Sequence, residues 1–187
     1  MATKVVTGKV RFSYVNIFEP RASEDGSPAR YGLTLLIPKS DTATLSAIKK
    51  AMEEARENFC RRNGANSIPV KYNHTLHDGD GTRDSGETYP EECHGHYVIA
   101  VNSKQKPVIV DRNGQQILDA EEVYSGCYGR ASINFYGYNR NGKKGVSAGL
   151  LAVQKLADGE PFGTRGSASD FADGFSDGED DGGADFF

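Results

Sequence analysis

Residues 127–138 form a segment in which two kinds of side chain alternate. Its apolar members share one parity: Cys127, Ala131, Ile133 and Phe135. The other parity carries rings and polar groups: Tyr128, Arg130, Ser132, Asn134, Tyr136 and Tyr138. Because successive side chains of a β-strand point to opposite faces, this alternation predicts a strand with one face in a core and an aromatic, polar face in solvent.

The polar face of this segment has the side chains that an unpaired nucleic acid strand requires. Unpaired bases offer flat π surfaces and the backbone carries phosphates, so a binder that ignores base sequence uses exposed rings and cations. We therefore predict that Tyr128, Tyr136 and Tyr138 stack on bases, and that Asn134 supplies a hydrogen-bonding group. The alternative is that the tyrosines are ordinary half-buried strand residues, since aromatic side chains favour strands in any case.

Basic residues flank the segment and give it a path for phosphates. The predicted phosphate contacts are Arg130, Arg140, Lys143 and Lys144, with Lys104 and Lys106 extending the basic track. An alternative track uses Lys9, Arg11 and Arg30. Gly142, in a predicted hairpin, allows a ligand to approach the backbone closely.

The charge of the chain is distributed unevenly. Residues 158–187 contain nine acidic residues and one base, a net charge of −8, so residues 1–157 carry +4 of the total −4. We predict a binding domain over residues 1–157 and a flexible, disordered tail over residues 158–187, because the tail has too few apolar residues to offset the entropy of ordering.

This polarity indicates a polyanion as ligand, with the acidic tail as its competitor or as a handle for other proteins. The last three residues, Asp185, Phe186 and Phe187, are predicted to seat in an apolar, base-rimmed pocket of a replication or recombination partner. The plainer alternative is that the tail only aids solubility.

The rest of the chain predicts many short strands and one helix. Segments rich in β-formers indicate strands over residues 4–15, 31–37, 97–101, 107–110, 124–138 and 146–153. Asn141-Gly142 is a hairpin signal. Apolar residues at three- and four-residue steps predict a helix over residues 42–62, with Ser40 or Asp41 as its N-cap. A mainly β chain without a βαβ rhythm favours a small barrel or a sandwich.

Residues 64–96 show little periodicity and are interpreted as a long excursion that is functional or mobile. With the preceding helix they contain potential zinc ligands: Cys60, His74, His77, Cys93, His94 and His96. No Cys-x-x-Cys pair is present, so an ordinary polar loop is favoured over a zinc site. The acids of this excursion lack the helix pair of an EF-hand, and its glycines lack the lysine of a P-loop. We therefore predict no metal and no cofactor.

No nucleophile, base and orienting group form a recognisable catalytic set, so we predict that the chain is not an enzyme. Two alternatives of other classes stay open. One is a metal-dependent nuclease with carboxylates in the 64–96 excursion, and the other is a protein-only adaptor whose tail is the active part.

Two features bear on the cellular compartment. The three cysteines are odd in number and far apart, so reduced thiols are expected rather than a disulfide framework. The N-terminal residues lack the apolar core of a signal peptide, and no stretch is long enough to span a bilayer. We expect a cytoplasmic protein with no membrane association.

One stretch resembles a bacteriophage single-stranded-DNA-binding family: Tyr124-Ser125-Gly126-Cys127-Tyr128-Gly129-Arg130-Ala131-Ser132-Ile133-Asn134-Phe135-Tyr136, then Gly145-Val146, Gly149-Leu150 and Val153-Gln154-Lys155. The likeness runs from the first strand to about Gly163. It implies an OB-fold, binding of single-stranded DNA without sequence preference, and a role in phage DNA replication or recombination inside the infected bacterial cell. It brings no catalytic residues. It also implies an acidic C-terminus with a terminal Phe, and Tyr97 stands where a tryptophan is expected in relatives.

Overall fold

The computed structural model describes residues 3–83 and 85–162. This part of the chain contains one α-helix, α1 (Thr42–Asn63), and two 3₁₀ turns, Glu91–Cys93 and Ala120–Glu122. Its strands are β1 (Lys4–Val6), β2 (Val10–Arg21), β3 (Arg30–Pro38), β4 (Asn73–His74), β5 (Leu76–Asp78), β6 (His96–Ser103), β7 (Val108–Val110), β8 (Tyr128–Arg140) and β9 (Lys143–Ala157).

Five of these strands close into a barrel. Around the ring, β2 pairs with β3, β3 with β6, β6 with β9, β9 with β8, and β8 with β2. Every pairing is antiparallel except β6 with β9, which is parallel. A five-stranded barrel of this order, in which the third and fifth strands run parallel, has the topology of an OB-fold. The predicted mainly β, OB-like fold with a helix is therefore confirmed.

The parallel seam between β6 and β9 is bridged by the 64–96 excursion. The two barrel strands meet at Asn102 and Gly149. In the gap beside this meeting point, β5 pairs with β6 at Leu76 and Ile99, and β4 pairs with β9 at Asn73. The excursion is thus part of the sheet, and its two strands are too short to produce a recognisable period in the sequence.

A tight hairpin joins β8 to β9. Asn141 and Gly142 both have positive φ, 53° and 79°, as a type I′ turn requires. The turn fixes the register, so that Arg140 lies opposite Lys143 and Tyr138 opposite Gly145. The Asn-Gly signal therefore predicted this hairpin correctly.

The helix begins and ends close to the predicted bounds. Asp41 is its N-cap and accepts a hydrogen bond from the Thr44 N–H at 3.2 Å. The Thr44 hydroxyl in turn accepts from the Gly8 N–H at 2.9 Å, which ties the helix to the turn between β1 and β2. At its other end the helix lies against β8, where a Cβ on Gly137 would stand 2.6 Å from the Phe59 Cβ. Close packing there places the hairpin end of β8 relative to the helix.

The core fills the barrel and extends beneath the helix. Along β8 it takes the residues of the predicted parity, since Ala131, Ile133 and Phe135 are buried, as is the preceding Cys127. A smaller apolar cluster lies outside the barrel and consists of Leu36, Cys93 and Val98 with Tyr89 and Phe162 against it. Within residues 3–83 and 85–162, no helix has the length and apolar character needed to cross a membrane.

Candidate nucleic-acid interface

The hairpin end of β8 borders an open cavity on the outside of the barrel. We call this cavity, of about 600 Å³, the hairpin groove. Tyr136 and Tyr138 of β8 and Phe59 of the helix are its aromatic lining, and Tyr136 is 43% exposed. Arg140 lines it from the same strand, while Arg30 and Lys104 enter from β3 and from the loop after β6. The structure therefore brings together two of the three predicted rings and three of the predicted cations.

The floor of this region is the outer face of β3, β6 and β9. Side chains alternate along β3 and β6, so the barrel exterior receives the following small or polar residues: Gly32, Thr34, Ala100 and Asn102. Gly149 of β9 completes the floor beside Asn102. A Cβ on Gly32 would stand 2.8 Å from the Val101 carbonyl oxygen, so a larger side chain does not fit there. A floor of small residues leaves room for a ligand to lie flat on the sheet.

The cations of the hairpin groove are not neutralised by neighbours. Among the described residues, no carboxylate lies within 4.0 Å of the charged groups of Arg30, Lys104 or Arg140. Arg30 donates a hydrogen bond to the Asn102 side-chain oxygen at 3.2 Å, which aims its guanidinium across the floor. Cations without a carboxylate partner at the rim of an open groove attract polyanions.

A neighbouring cavity shares Arg30 and Asn102 with the hairpin groove and is lined by the β2–β3 loop, including Glu24 and Asp25. Hydrogen bonds from Ser23 and then Ser27 hold the pKa of Asp25 well below its usual range. Its carboxylate is therefore charged at any ordinary pH. The acidic loop makes this side of the groove unfavourable for phosphates, so the attractive side is the one with Lys104 and Arg140.

The opposite end of β8 has a different environment. The Lys9 ammonium and the Arg11 guanidinium lie 5.0 and 5.3 Å from the centroid of the Tyr128 ring. The Arg130 Nε donates to the Thr7 carbonyl at 2.9 Å. Asn134 accepts a hydrogen bond from the Thr3 hydroxyl at 2.8 Å. Tyr128 and Arg130 at this end, and Asn134 in the middle of the strand, thus contact residues 3–11 and do not line the hairpin groove.

Residues 158–162, which we call the C-terminal clasp, cover this end of β8. The Tyr124 hydroxyl donates to Asp158 Oδ1 at 3.0 Å, and the Phe162 N–H donates to the Ser125 carbonyl at 3.0 Å. Lys155 forms an ion pair with Asp158 at 2.7 Å. The hydrogen bond from Lys155, and then that from Tyr124, lowers the pKa of Asp158. The first five residues of the predicted tail are therefore attached to the barrel.

Arg11 joins the clasp to β8. Its Nε donates to the Gly126 carbonyl at 3.0 Å and its Nη2 to the Glu160 carbonyl at 2.7 Å. Its guanidinium also lies 4.3 Å from the centroid of the Phe162 ring. Two of its nitrogens donate to backbone oxygens and its guanidinium lies over two rings, so Arg11 holds the clasp against the barrel.

The remaining predicted residues are dispersed. Lys143 and Lys144 are exposed on the hairpin but do not line the groove, and Lys106 lies 5.6 Å from the Phe18 ring. Asp185, Phe186 and Phe187 lie outside the described residues, as does the rest of the tail from residue 163. The lining residues that were not predicted as site residues are Phe59, Asn102, Ser103, Gly137, Asn139, Ser147 and Gly149. The alternation of side chains along β6 and β9 is the sequence signal that could have identified Asn102 and Ser147.

The potential metal ligands of the excursion take part in separate contacts with different neighbours. His74 and His77 stack with ring centroids 6.2 Å apart. Asp78 and Asp80 both pair with Lys39, at 2.7 and 2.6 Å, and these bonds raise the pKa of that lysine. In the part of the chain that the structure describes, no three His, Cys, Asp or Glu side chains converge as a metal site would require.

The three cysteines in this part are free and buried. Burial raises the pKa of Cys93 and of Cys127 above the usual thiol value. Both thiols are therefore protonated at neutral pH and poorly reactive.

The barrel order and the groove define the chain as an OB-fold protein with a candidate oligonucleotide surface beside its fourth and fifth barrel strands. The family model of the ssDNA-binding protein of Enterobacter phage Enc34 matches residues 3–185. The chain belongs to that family.

Individual relatives agree with this assignment. A putative protein, p50, of Acyrthosiphon pisum secondary endosymbiont phage 1 is 32% identical over 175 residues, which cover 89% of this chain and 90% of that protein. The solved single-stranded DNA-binding protein from bacteriophage Enc34 in complex with ssDNA is 28% identical, with a TM-score of 0.75 over 86% of this chain and 90% of that one.

A more distant structure shares the fold. It is gp2.5, a single-stranded DNA-binding protein encoded by bacteriophage T7, which is 17% identical with a TM-score of 0.57. The match covers 94% of this chain and 96% of gp2.5. The two chains therefore share a fold.

Proposed function

We propose that this chain binds single-stranded DNA without sequence preference and that the hairpin groove is where the DNA lies. The observation that carries the proposal is the convergence of Tyr136 and Tyr138 with three cations in one groove beside the hairpin of an OB barrel, where none of the described carboxylates pairs with those cations. The membership of the chain in the Enc34 family, whose type protein has been solved in complex with ssDNA, supports it.

The chemistry of the groove accounts for binding that ignores base sequence. Every base has a π face, so stacking on Tyr136 and Tyr138 is tolerant of base identity. Arg30, Lys104 and Arg140 reach phosphates, which are the same at every nucleotide. The small residues of the floor present few groups that would read base edges.

The binding is proposed to be non-catalytic and to serve phage DNA replication or recombination in the cytoplasm of an infected bacterium. A DNA-coating protein should leave a labelled single strand intact in the presence of magnesium. Cleavage under those conditions would instead support the nuclease alternative.

The acidic tail is proposed to compete with DNA and to recruit partner proteins. Its net charge of −8 supports the first role, because a tethered polyanion is present at a high effective concentration. Its terminal Asp185-Phe186-Phe187 supports the second, because two phenylalanines behind a run of acids suit an apolar pocket with a basic rim. The clasp fixes the starting point of the tail on the barrel.

The test is a titration of fluorescein-labelled poly(dT) followed by anisotropy at several salt concentrations. We expect tight binding that weakens with salt, since counterions are released from the phosphates. The variant Tyr136→Ala/Tyr138→Ala should stay folded and bind more weakly. Equal binding by the folded variant would move the DNA away from the hairpin groove.

A further inference from the structure

A second cavity lies on the same outer face of the barrel, where the 64–96 excursion passes over it. We call this cavity, of about 280 Å³, the excursion pocket. Its base is made by Thr34, Leu36, Val98 and Ala100 of β3 and β6. Its volume is near the lower end of ligand pockets, which suits a single flat ring system rather than a larger molecule.

The walls of the excursion pocket are rich in rings. Tyr14, Tyr89, His74 and His77 line it. The two histidines stack with an interplanar angle of 30°. Burial, and then the nearby His77, lowers the pKa of His74, so its ring is neutral at neutral pH. These walls offer flat surfaces from three different segments of the chain.

Tyr14 reaches the pocket from a strained backbone position. Its φ is 47°, a conformation that a bulky residue avoids, and its side chain is 55% exposed. The strained residue lies at a bulge of β2. The bulge is held by a hydrogen bond from the Val15 N–H to the Ser125 hydroxyl oxygen, at 3.3 Å. A large exposed ring held by a strained bulge needs an explanation beyond packing, and strained positions of this kind cluster at ligand sites.

The polar groups of the pocket suit a nucleobase and its phosphate. The Thr75 hydroxyl lines the pocket, and its oxygen is buried without a hydrogen-bond partner in the described part of the chain. A base edge has the donors and acceptors that would satisfy it. Arg83 lies with its guanidinium 5.0 Å from the Tyr89 ring centroid, and no carboxylate is present among the described lining residues.

The excursion pocket and the hairpin groove lie beside each other on one face of the sheet. Ala100 lines the pocket and Asn102 lines the groove, and the two residues share one face of β6. Two residues along a strand span about 7 Å. One extended DNA strand crossing the floor therefore passes both sites, within the four to sixteen or so nucleotides that an OB-fold covers.

From these contacts we infer that the excursion pocket is a second base-binding subsite, which takes one nucleobase of the strand that lies in the hairpin groove. This inference rests on the proposed function. It assigns the 64–96 excursion two roles, since the segment that bridges the β6–β9 seam also walls the pocket.

The first test maps contacts on the unmodified full-length chain. A sixteen-nucleotide oligothymidylate carrying one 5-iodouracil is bound, irradiated, digested and analysed by mass spectrometry, with the label moved along the strand. We expect two groups of cross-linked peptides, one containing Tyr136 and one containing Tyr14 or Tyr89. Cross-links confined to the Tyr136 peptide would overturn the subsite.

The second test uses affinity and matched controls. Tyr14→Asn replaces the ring by the side chain of a residue that tolerates positive φ. This variant should bind the same oligothymidylate roughly tenfold more weakly than the parent. Leu118→Asn is the control, because Leu118 is 81% exposed and lines neither cavity. Arg83→Ala should also weaken binding, whereas Arg112→Ala, which removes the same charge from an exposed turn, should have a smaller effect.

The outcomes separate the two proposals. If the parent chain does not bind the oligothymidylate, the proposed function fails. If the parent binds and Tyr136→Ala weakens binding while Tyr14→Asn does not, the excursion pocket alone is refuted. Tighter binding by Tyr14→Asn would also refute it, because the pocket would then hold a segment of the chain's own tail. If Tyr14→Asn does not fold, the cross-linking map decides.

Discussion

The two ends of β8 have the same side-chain pattern and different environments. Tyr128 and Tyr136 share one parity, but Tyr128 lies between the Lys9 and Arg11 cations with the clasp beside it, whereas Tyr136 is 43% exposed in the hairpin groove. A Cβ on Gly159 would stand 2.8 Å from the Tyr128 ring. Parity in a strand thus determines the face of a side chain, while its accessibility depends on segments far away in sequence.

The cations at the two ends differ in the same way. Arg11 and Arg130 donate to backbone carbonyls, so a phosphate would have to displace those hydrogen bonds. Lys104 and Arg140 have no carboxylate within ion-pair distance in residues 3–83 and 85–162. The described part of the chain thus leaves the cations of the hairpin end without an ion-pair partner, whereas it engages the arginines of the clasp end in hydrogen bonds to backbone carbonyls.

The largest expected effect is on stacking. Removing both rings with Tyr136→Ala/Tyr138→Ala should weaken poly(dT) binding by roughly 1 to 3 kcal/mol per ring. Tyr128→Ala should cost less, because its ring already packs against Lys9, Arg11 and the clasp. Anisotropy titrations at one salt concentration measure both. Equal losses at the two ends would show that the clasp opens when DNA binds.

The second effect is on the salt dependence. Lys104→Ala/Arg140→Ala should flatten the slope of log affinity against log salt by roughly 1.4, if each side chain neutralises one phosphate of a single strand. Lys143→Ala/Lys144→Ala removes the same charge from the hairpin without altering the groove lining and should flatten it less. If the two pairs change the slope equally, phosphates follow the hairpin rather than the groove.

The third effect separates the tail from the clasp. Truncation after Phe162 removes seven acids and one base, and should tighten DNA binding, most visibly at low salt. Truncation after Ala157 also removes the clasp, so it should lower the free energy of unfolding by about 1 to 2 kcal/mol through lost hydrogen bonds. Urea unfolding and DNA titration of both proteins check this. Weaker DNA binding after the first truncation would contradict the competitor role of the tail.

The smallest effect is on the pH dependence of the clasp. Lys155 and Tyr124 hold the pKa of Asp158 below that of an unfolded aspartate. The contribution of this carboxylate to the stability of the clasp is therefore present above about pH 4 and is lost as pH falls through the lowered pKa. The Phe162 amide resonance should shift toward its released position in acid. Asp158→Asn should show little of this shift between pH 6 and pH 3, and an unchanged response in that variant would exclude Asp158 as the cause.

Local patterns predicted the parts of the fold that depend on neighbours in sequence. The parity of residues 127–138, the Asn141-Gly142 turn and the helix were predicted correctly, and Asp41 is one of the two residues proposed as its cap. Each is determined within a few residues of itself, by alternation, by a turn that needs positive φ, or by one side chain and the first turn of a helix.

Features that depend on distant contacts were not predicted. β4 and β5 have two and three residues and exist because they pair with β9 and β6. The clasp has the composition of the tail, yet Tyr124, Ser125 and Arg11 attach it to the barrel. The hairpin groove joins β3, β6, β8 and β9, so its cations became neighbours only through the barrel order. The phosphate roles of all the predicted cations stay predictions.

The bridged seam between β6 and β9 has a consequence for folding during synthesis on the ribosome. β2, β3 and β6 are complete once Ser103 has been synthesised, but their partner strand β9 ends at Ala157. At about 5 to 20 residues per second, the edge of β6 stays without β9 for several seconds. An unpaired strand edge is a template for aggregation. β5 pairs with β6 across a short sequence distance, Leu76 to Ile99, and is synthesised before it. The excursion therefore covers three of the eight residues along the open edge of β6 until β9 closes the barrel.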